Sequence, residues 1–266
     1  MNKTNIDTNA KYRINDLPGI ANNFGDMKIC SNTSRRKADL LIFLDSRGIS
    51  INQPDKKGWA ENIFDFFTEK KISCIMFNRI KDLTVFFTLI NFIKVSGFKF
   101  KYLITNVGFV DFTPKKKSII DDIILQKNLC YPEKKIRSQK FSKYPLLTGE
   151  LAYLYSLNMF DLKNEISEFL QKNFEYSLLL GTFETDEKVR VKRKRPAEFY
   201  KQIRQTNRFL FELSAESKSI HYLQPLKYQF DNNNKISYDN VHYTESGHQK
   251  MFNIVSNVFM GNIKER

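Results

Sequence analysis

This sequence predicts a three-layer α/β/α domain built on a central, mainly parallel sheet. Short apolar runs at Ala38–Leu44, Ile72–Phe77 and Phe100–Val107 have the length of strands and are bounded by turn residues. Segments with apolar residues at helical spacing separate these runs, so strand and helix alternate as in consecutive βαβ units. At 266 residues, 41% of them hydrophobic and 24 of them Phe, the chain has the means to bury a full core. We expect an irregular lead-in over 1–38, one α/β domain over 39–262, and a helical insertion at about 130–196.

The lead-in is polar, with Gly19, Gly25 and the basic step Arg35-Arg36-Lys37. Ala38-Asp39-Leu40-Leu41-Ile42-Phe43-Leu44 then reads as a buried parallel strand ending in Asp45-Ser46-Arg47-Gly48. Trp59, Ile63, Phe66 and Phe67 recur at helical spacing and predict an amphipathic helix over about 57–70. The second strand, Ile72–Phe77, is followed by a helix over about 82–95 with Asp82 as its cap. Phe100–Val107 is the third strand, closed by Gly108, and Lys117–Leu129 is helical in period.

Past Pro145 we expect helices at about 147–157 and 161–173, while Glu175–Arg195 has no assignable period. Ala197–Ser214 is a strong helix, with Phe199, Ile203 and Leu210 on one side. Ile220–Leu223 is a last short strand. A final helix, about Glu245–Phe259, follows the loop that carries Asp239 and His242.

Composition narrows the classes. The formal charge of +14 fits nucleic acid, an anionic glycan or nucleotide-linked substrate, or a membrane surface. It also fits a compositional bias toward Lys, Asn, Ile and Phe with no functional meaning, and the even spread of basic residues gives that reading half the weight. The dense run Lys188–Arg195 is either an anion site or a solvated loop. No RNP-like pattern, helix-turn-helix spacing or Gly-rich phosphate cradle is present, so nucleic-acid binding ranks last. Cys30, Cys74 and Cys130 are widely spaced with no CxxC, which reads as reduced thiols. Met1–Arg13 lacks an apolar core of signal type, and the longest apolar stretch, Val85–Val95, is interrupted by Thr88, Asn91 and Lys94. A cytoplasmic protein without a membrane span is expected. His242 and His248 are not spaced as metal ligands on one helical face, and no metal is expected.

Serine is a weak nucleophile until a base takes its proton and a carboxylate orients that base. Three places supply such groups. Ser46 follows the first strand, where open parallel sheets place their ligands, and Gly48 permits a sharp turn there. Asp239 and His242 lie three apart in one loop, so a carboxylate can meet Nδ1 and leave Nε2 to face a hydroxyl. Thr105–Asp111, at the end of the third strand, offers Gly108 and backbone amides to an oxyanion. Taken singly, each has a structural reading: a turn serine, a surface histidine, a strand-end glycine.

In order and spacing over roughly 39–262, these blocks resemble the SGNH (GDSL-like) hydrolases. The most specific stretch is Asp239-Asn240-Val241-His242-Tyr243-Thr244-Glu245-Ser246-Gly247, which is similar to the terminal block of carbohydrate-acting members, with Ser46 about 190 residues upstream. The resemblance implies SGNH/flavodoxin-like layering, Ser46 as nucleophile, His242 as base and Asp239 as its orienter. Two blocks depart from the family pattern. Gly108-Phe109-Val110-Asp111 has Val110 where the family has an Asn donor, and Asn78-Arg79-Ile80-Lys81-Asp82 lacks the second-block Gly. Loss of one such donor costs about 100- to 1000-fold in rate. The oxyanion and substrate contacts expected from the resemblance involve Arg47, Gly48, Asn78, Gly108, Val110 and Asp111, with the amide of Ser46 or Arg47 remaining as a donor.

Two outcomes share an acyl-Ser46 intermediate. Water as acceptor makes an esterase or deacetylase that needs no cofactor; a sugar hydroxyl makes an O-acetyltransferase of surface-polysaccharide precursors, with acetyl-CoA as acyl donor. The substrate implied is a carbohydrate, anionic if the basic surface serves it. The competing class is a catalytically weak SGNH-fold protein that binds a glycan or a biosynthetic partner.

Overall fold

The run Leu40–Leu44 becomes the strand on which the molecule is organised. The computed structural model describes residues 28–33, 37–50, 56–80, 85–112, 115–116, 118, 154–155, 159–183, 197–224, 236–237 and 241–264. Six strands form one sheet: β1 (Lys28–Ser31), β2 (Lys37–Asp45), β3 (Cys74–Ile80), β4 (Lys99–Thr105), β7 (Tyr176–Leu180) and β8 (Ile220–Leu223). Their order across the sheet is β1-β3-β2-β4-β7-β8, and only β1 runs antiparallel to its neighbour. A separate antiparallel pair joins β5 (Lys115–Lys116) to β6 (Leu154–Tyr155). Five helices are described: α1 (Trp59–Glu69), α2 (Val85–Ser96), α3 (Lys163–Asn173), α4 (Ala197–Ala215) and α5 (Glu245–Lys264).

Strand alternation divides the core into two layers. On β2, Leu41 and Phe43 point to the side covered by α2, α3 and α4, while Leu40, Ile42 and Leu44 point to the side covered by α1 and α5. Phe43, Phe77 and Phe92 pack ring to ring on the first side, with centroids 4.8–6.4 Å apart. On the other side Phe259 of α5 meets Phe67 of α1 at 5.0 Å and Tyr176 of β7 at 5.8 Å. Both faces of the sheet are therefore covered, and the fold is the expected three-layer α/β/α arrangement. No helix among the described residues is long and apolar enough to cross a membrane.

Three expectations are corrected. The lead-in contributes β1, whose Cys30 pairs opposite Met76 at the sheet edge. The stretch at 130–196, expected as a helical insertion, supplies α3 and also the fully buried strand β7, paired to β4. Within the helix expected at 147–157, Leu154 and Tyr155 are instead extended. The helix expected at 117–129 lies outside the described residues apart from Ser118, as do Asp82 and the basic run 188–195. Among the described residues neither Cys30 nor Cys74 takes part in a disulfide.

The carboxyl end of β2 is where the sheet becomes irregular. Pairing of β2 with β3 slips between Phe43 and Asp45, and such a slip re-aims the strand end that follows it. Ser46–Gly48 then form a single 3-10 turn.

Candidate active site

Asp45 starts the turn. Its carboxylate accepts the amide of Arg47 at 2.9 Å, which closes the turn as an N-cap does, and places Ser46 at the turn's first position. Ser46 Oγ lies 3.3 Å from His242 Nε2, although 196 residues separate the two in sequence. The hydroxyl and the imidazole read from the sequence thus meet at the carboxyl end of a parallel strand. Asp239 lies outside the described residues.

His242 is half-buried on a loop pinned at both flanks. Ser237 and Tyr243 form an antiparallel bridge, and the Thr244 amide donates to the Ile236 carbonyl at 2.8 Å. Tyr243 is buried against Phe183 at 5.2 Å and His248 at 5.7 Å. Burial pushes its phenol above the usual range, with Arg47 opposing and Asp45 adding to the shift. Gly247 then lets the first turn of α5 close onto Ile236: a Cβ there would sit 2.1 Å from the Ile236 carbonyl oxygen.

Arg47 turns away from the expected substrate role. Its side chain is 3% exposed, and its Nε and terminal nitrogen bond both Asp45 carboxylate oxygens at 2.9–3.0 Å. The same guanidinium donates to Thr182 Oγ1 and to the Asn106 carbonyl, and it lies 5.3 Å over the Phe109 ring. Its backbone carbonyl accepts the Trp59 indole N–H at 2.9 Å. The Arg47 amide, one of the two amides expected to face an oxyanion, is donated to Asp45 Oδ1.

Gly48 does not adopt a left-handed conformation; it is needed for room. A Cβ would lie 2.6 Å from Asn78 Oδ1, 3.0 Å from Ala60 Cβ and 3.1 Å from Leu44 Cδ1. Asn78 is completely buried at the end of β3 and packs against this turn.

The third block also has a bracing role. Gly108 has φ +118, and its amide donates to Asp111 Oδ2 at 3.1 Å, while Phe112 closes onto the Gly108 carbonyl. The other Asp111 oxygen accepts the Phe86 amide in the first turn of α2 at 3.0 Å, so a distant carboxylate caps that helix. Val110 is half-buried against the core. Gly108 and Asp111, expected near an oxyanion, are committed to each other and to α2.

Several site features were not anticipated. His248 is 4% exposed and accepts the Trp59 backbone N–H on Nδ1 at 3.2 Å, so its neutral ring carries the proton on Nε2. Burial holds its pKa down to about 4, Glu61 opposes this, and neighbouring His242 adds to it. A cavity of about 240 Å³ opens between the first turns of α1 and α5, lined by Ser50, Lys56, Lys57, Asn62, Glu245, His248 and Gln249. Lys56 bridges it to Glu245 at 2.6 Å. A second cavity, about 560 Å³, lies at the amino-terminal end of β8 by Lys218, Tyr222 and Asn262, remote from Ser46. Among the described residues no group of three His, Cys, Asp or Glu side chains is placed to hold a metal.

No protein-family model and no curated protein matches the chain. Solved structures are similar to it over most of the chain at low identity. A catalytic mutant of an acetylxylan esterase from Geobacillus stearothermophilus is 12% identical, with 81% of this chain and 91% of that one covered and a TM-score of 0.45. A family 3 carbohydrate esterase from Clostridium thermocellum is 13% identical, with 83% and 94% covered and a TM-score of 0.44. An alpha/beta hydrolase enzyme from the metagenome of Lake Arreo, Spain, is 14% identical, with 81% and 92% covered and a TM-score of 0.46. At that level of likeness the site residues rest on this chain's own geometry.

Proposed function

We propose that the chain is a serine-dependent acyl-ester enzyme acting on a carbohydrate through an acyl-Ser46 intermediate. The observation that supports this most is the 3.3 Å approach of Ser46 Oγ to His242 Nε2. Ser46 Oγ attacks the ester carbonyl while His242 takes its proton on Nε2, and the tetrahedral adduct collapses as that proton passes to the departing alkoxide. Asp239, three residues before the histidine, is assigned as the carboxylate that orients Nδ1. With the Arg47 amide held by Asp45, the Ser46 amide is the donor assigned to the oxyanion. Water resolves the acyl-enzyme in an esterase or deacetylase; a sugar hydroxyl resolves it in an O-acetyltransferase supplied by acetyl-CoA. The carbohydrate substrate rests on the similarity of the Asp239–Gly247 block to carbohydrate-acting SGNH hydrolases.

The test is incubation with an activated acetyl ester, with and without a glycan acceptor, alongside a fluorophosphonate probe. Ser46→Ala is expected to abolish both hydrolysis and labelling. Hydrolysis unaffected by that substitution would defeat the assignment. A second reading is favoured by the commitment of the Gly108 amide to Asp111: a weakly catalytic protein that binds a glycan or a partner. Folded wild-type protein that takes no probe at Ser46 selects it.

A further inference from the structure

The buried pair Asp45–Arg47 touches none of the atoms assigned to the reaction, yet it flanks the nucleophile on both sides. Asp45 closes the end of β2, and its carboxylate receives the Arg47 amide, the guanidinium and Asn106 Nδ2. Its own amide donates to Asn106 Oδ1 at 2.8 Å, which locks it to the residue after β4. The guanidinium then reaches the Asn106 carbonyl and Thr182 Oγ1, just beyond β7. Thr182 is held in turn by Asn207 of α4, which accepts its amide at 2.8 Å and donates to its carbonyl at 2.6 Å. On the other side, the Trp59 indole of α1 holds the Arg47 carbonyl.

We propose that Arg47 is a positioning residue for the Ser46 nucleophile. Resting on the acyl-enzyme reading above, it fixes the 3-10 turn against the ends of β4 and β7 and so keeps Oγ within reach of His242 Nε2. Its planar fork is what suits it to this: one rigid group spans a carboxylate, a carbonyl and a hydroxyl from three neighbouring strands. A buried ion pair contributes little to stability beyond what apolar residues of the same volume supply, so geometry is the better reason for its place here. A displacement of about 1 Å at a reacting group costs on the order of 100-fold in rate. The 3% exposure of the side chain and the Phe109 ring across it mean that Arg47 acts through Ser46, not on substrate.

The experiment compares wild type, Arg47→Lys and the double variant Asp45→Asn/Arg47→Met by fluorophosphonate labelling rate, thermal midpoint and hydrogen–deuterium exchange over the peptide containing 44–50. Lysine keeps the charge but not the fork, and the double variant leaves no uncompensated buried charge, with the thermal midpoint reporting that each variant is folded. Labelling about 10- to 100-fold slower in both variants, well below their midpoints and with faster exchange at 44–50, is the expected result. Wild-type labelling rates in Arg47→Lys and in the double variant would overturn the positioning role. If wild type takes no label at all, the catalytic reading falls. Exchange then decides the clamp by itself: unchanged protection of 44–50 in the double variant overturns it, and lost protection supports it.

Discussion

Gly247 and Ile236 approach so closely that a methyl group on the glycine would fall 2.1 Å from the Ile236 carbonyl oxygen. That oxygen cannot withdraw, because it also accepts the Thr244 amide and thereby pins the loop bearing His242. Gly247→Ala must therefore push α5 away from Ile236. We expect a loss of about 3 kcal/mol, at the upper end for overpacking, in urea denaturation. Slower labelling of Ser46 in the protein that still folds is expected with it.

At Gly48 the neighbours are side chains. Asn78 and Leu44 have some freedom to move, so Gly48→Ala is expected to cost less, about 1–3 kcal/mol by the denaturation midpoint. The turn carrying Ser46 shifts with it. A Gly48→Ala protein with wild-type stability would show that the packing around Asn78 is not tight.

Asp111→Asn separates bracing from chemistry. The amide keeps one acceptor for the amides of Phe86 and Gly108 and turns an N–H against the other. A loss of about 1–3 kcal/mol is expected. The labelling rate of Ser46 in the folded fraction should stay within a few-fold of wild type, whereas an oxyanion role for this turn would lower it about 100-fold.

The pH dependence of stability should carry the signature of His248. Folding holds its pKa at about 4, against about 6.5 in the unfolded chain. Between those values the unfolded chain binds a proton that the folded chain refuses. The stability contributed is therefore complete above about pH 6.5 and is lost as pH falls toward 4, by roughly 2–3 kcal/mol. His248→Asn, whose Oδ1 still accepts the Trp59 amide, is expected to flatten this part of the profile in denaturant midpoints taken at pH 7.5 and 4.5. An unchanged slope would assign the dependence to other groups.

How far the sequence discloses this molecule depends on whether the deciding contacts are local. Helix α1 at 59–69 and strand β8 at 220–223 follow from their own periodicity and fall close to the predicted bounds. Strand β7 does not: Tyr-Ser-Leu-Leu-Leu is buried on both faces, so it has no alternation, and a five-residue run with four apolar side chains does not distinguish strand from helix. Strand β1 is a four-residue edge with a single strongly apolar position, and its existence depends on pairing with β3. The serine and histidine are visible because each sits in a motif. Arg47 reads from the sequence as an oxyanion or substrate contact, since its partners at 106 and 182 lie just past strands that only the folded sheet brings alongside. Gly247 is visible as a motif glycine, but the carbonyl that requires it is not.

The indole that grips the turn of Ser46 is also the chain's single tryptophan. Intrinsic emission excited at the indole band is therefore a one-site signal, coming from a ring almost fully shielded from solvent and bonded to the residue next to Ser46. Phosphonylation or acylation of Ser46 should alter that emission without any added dye. A change in emission on exposure to a fluorophosphonate, absent in Ser46→Ala, is the expected result.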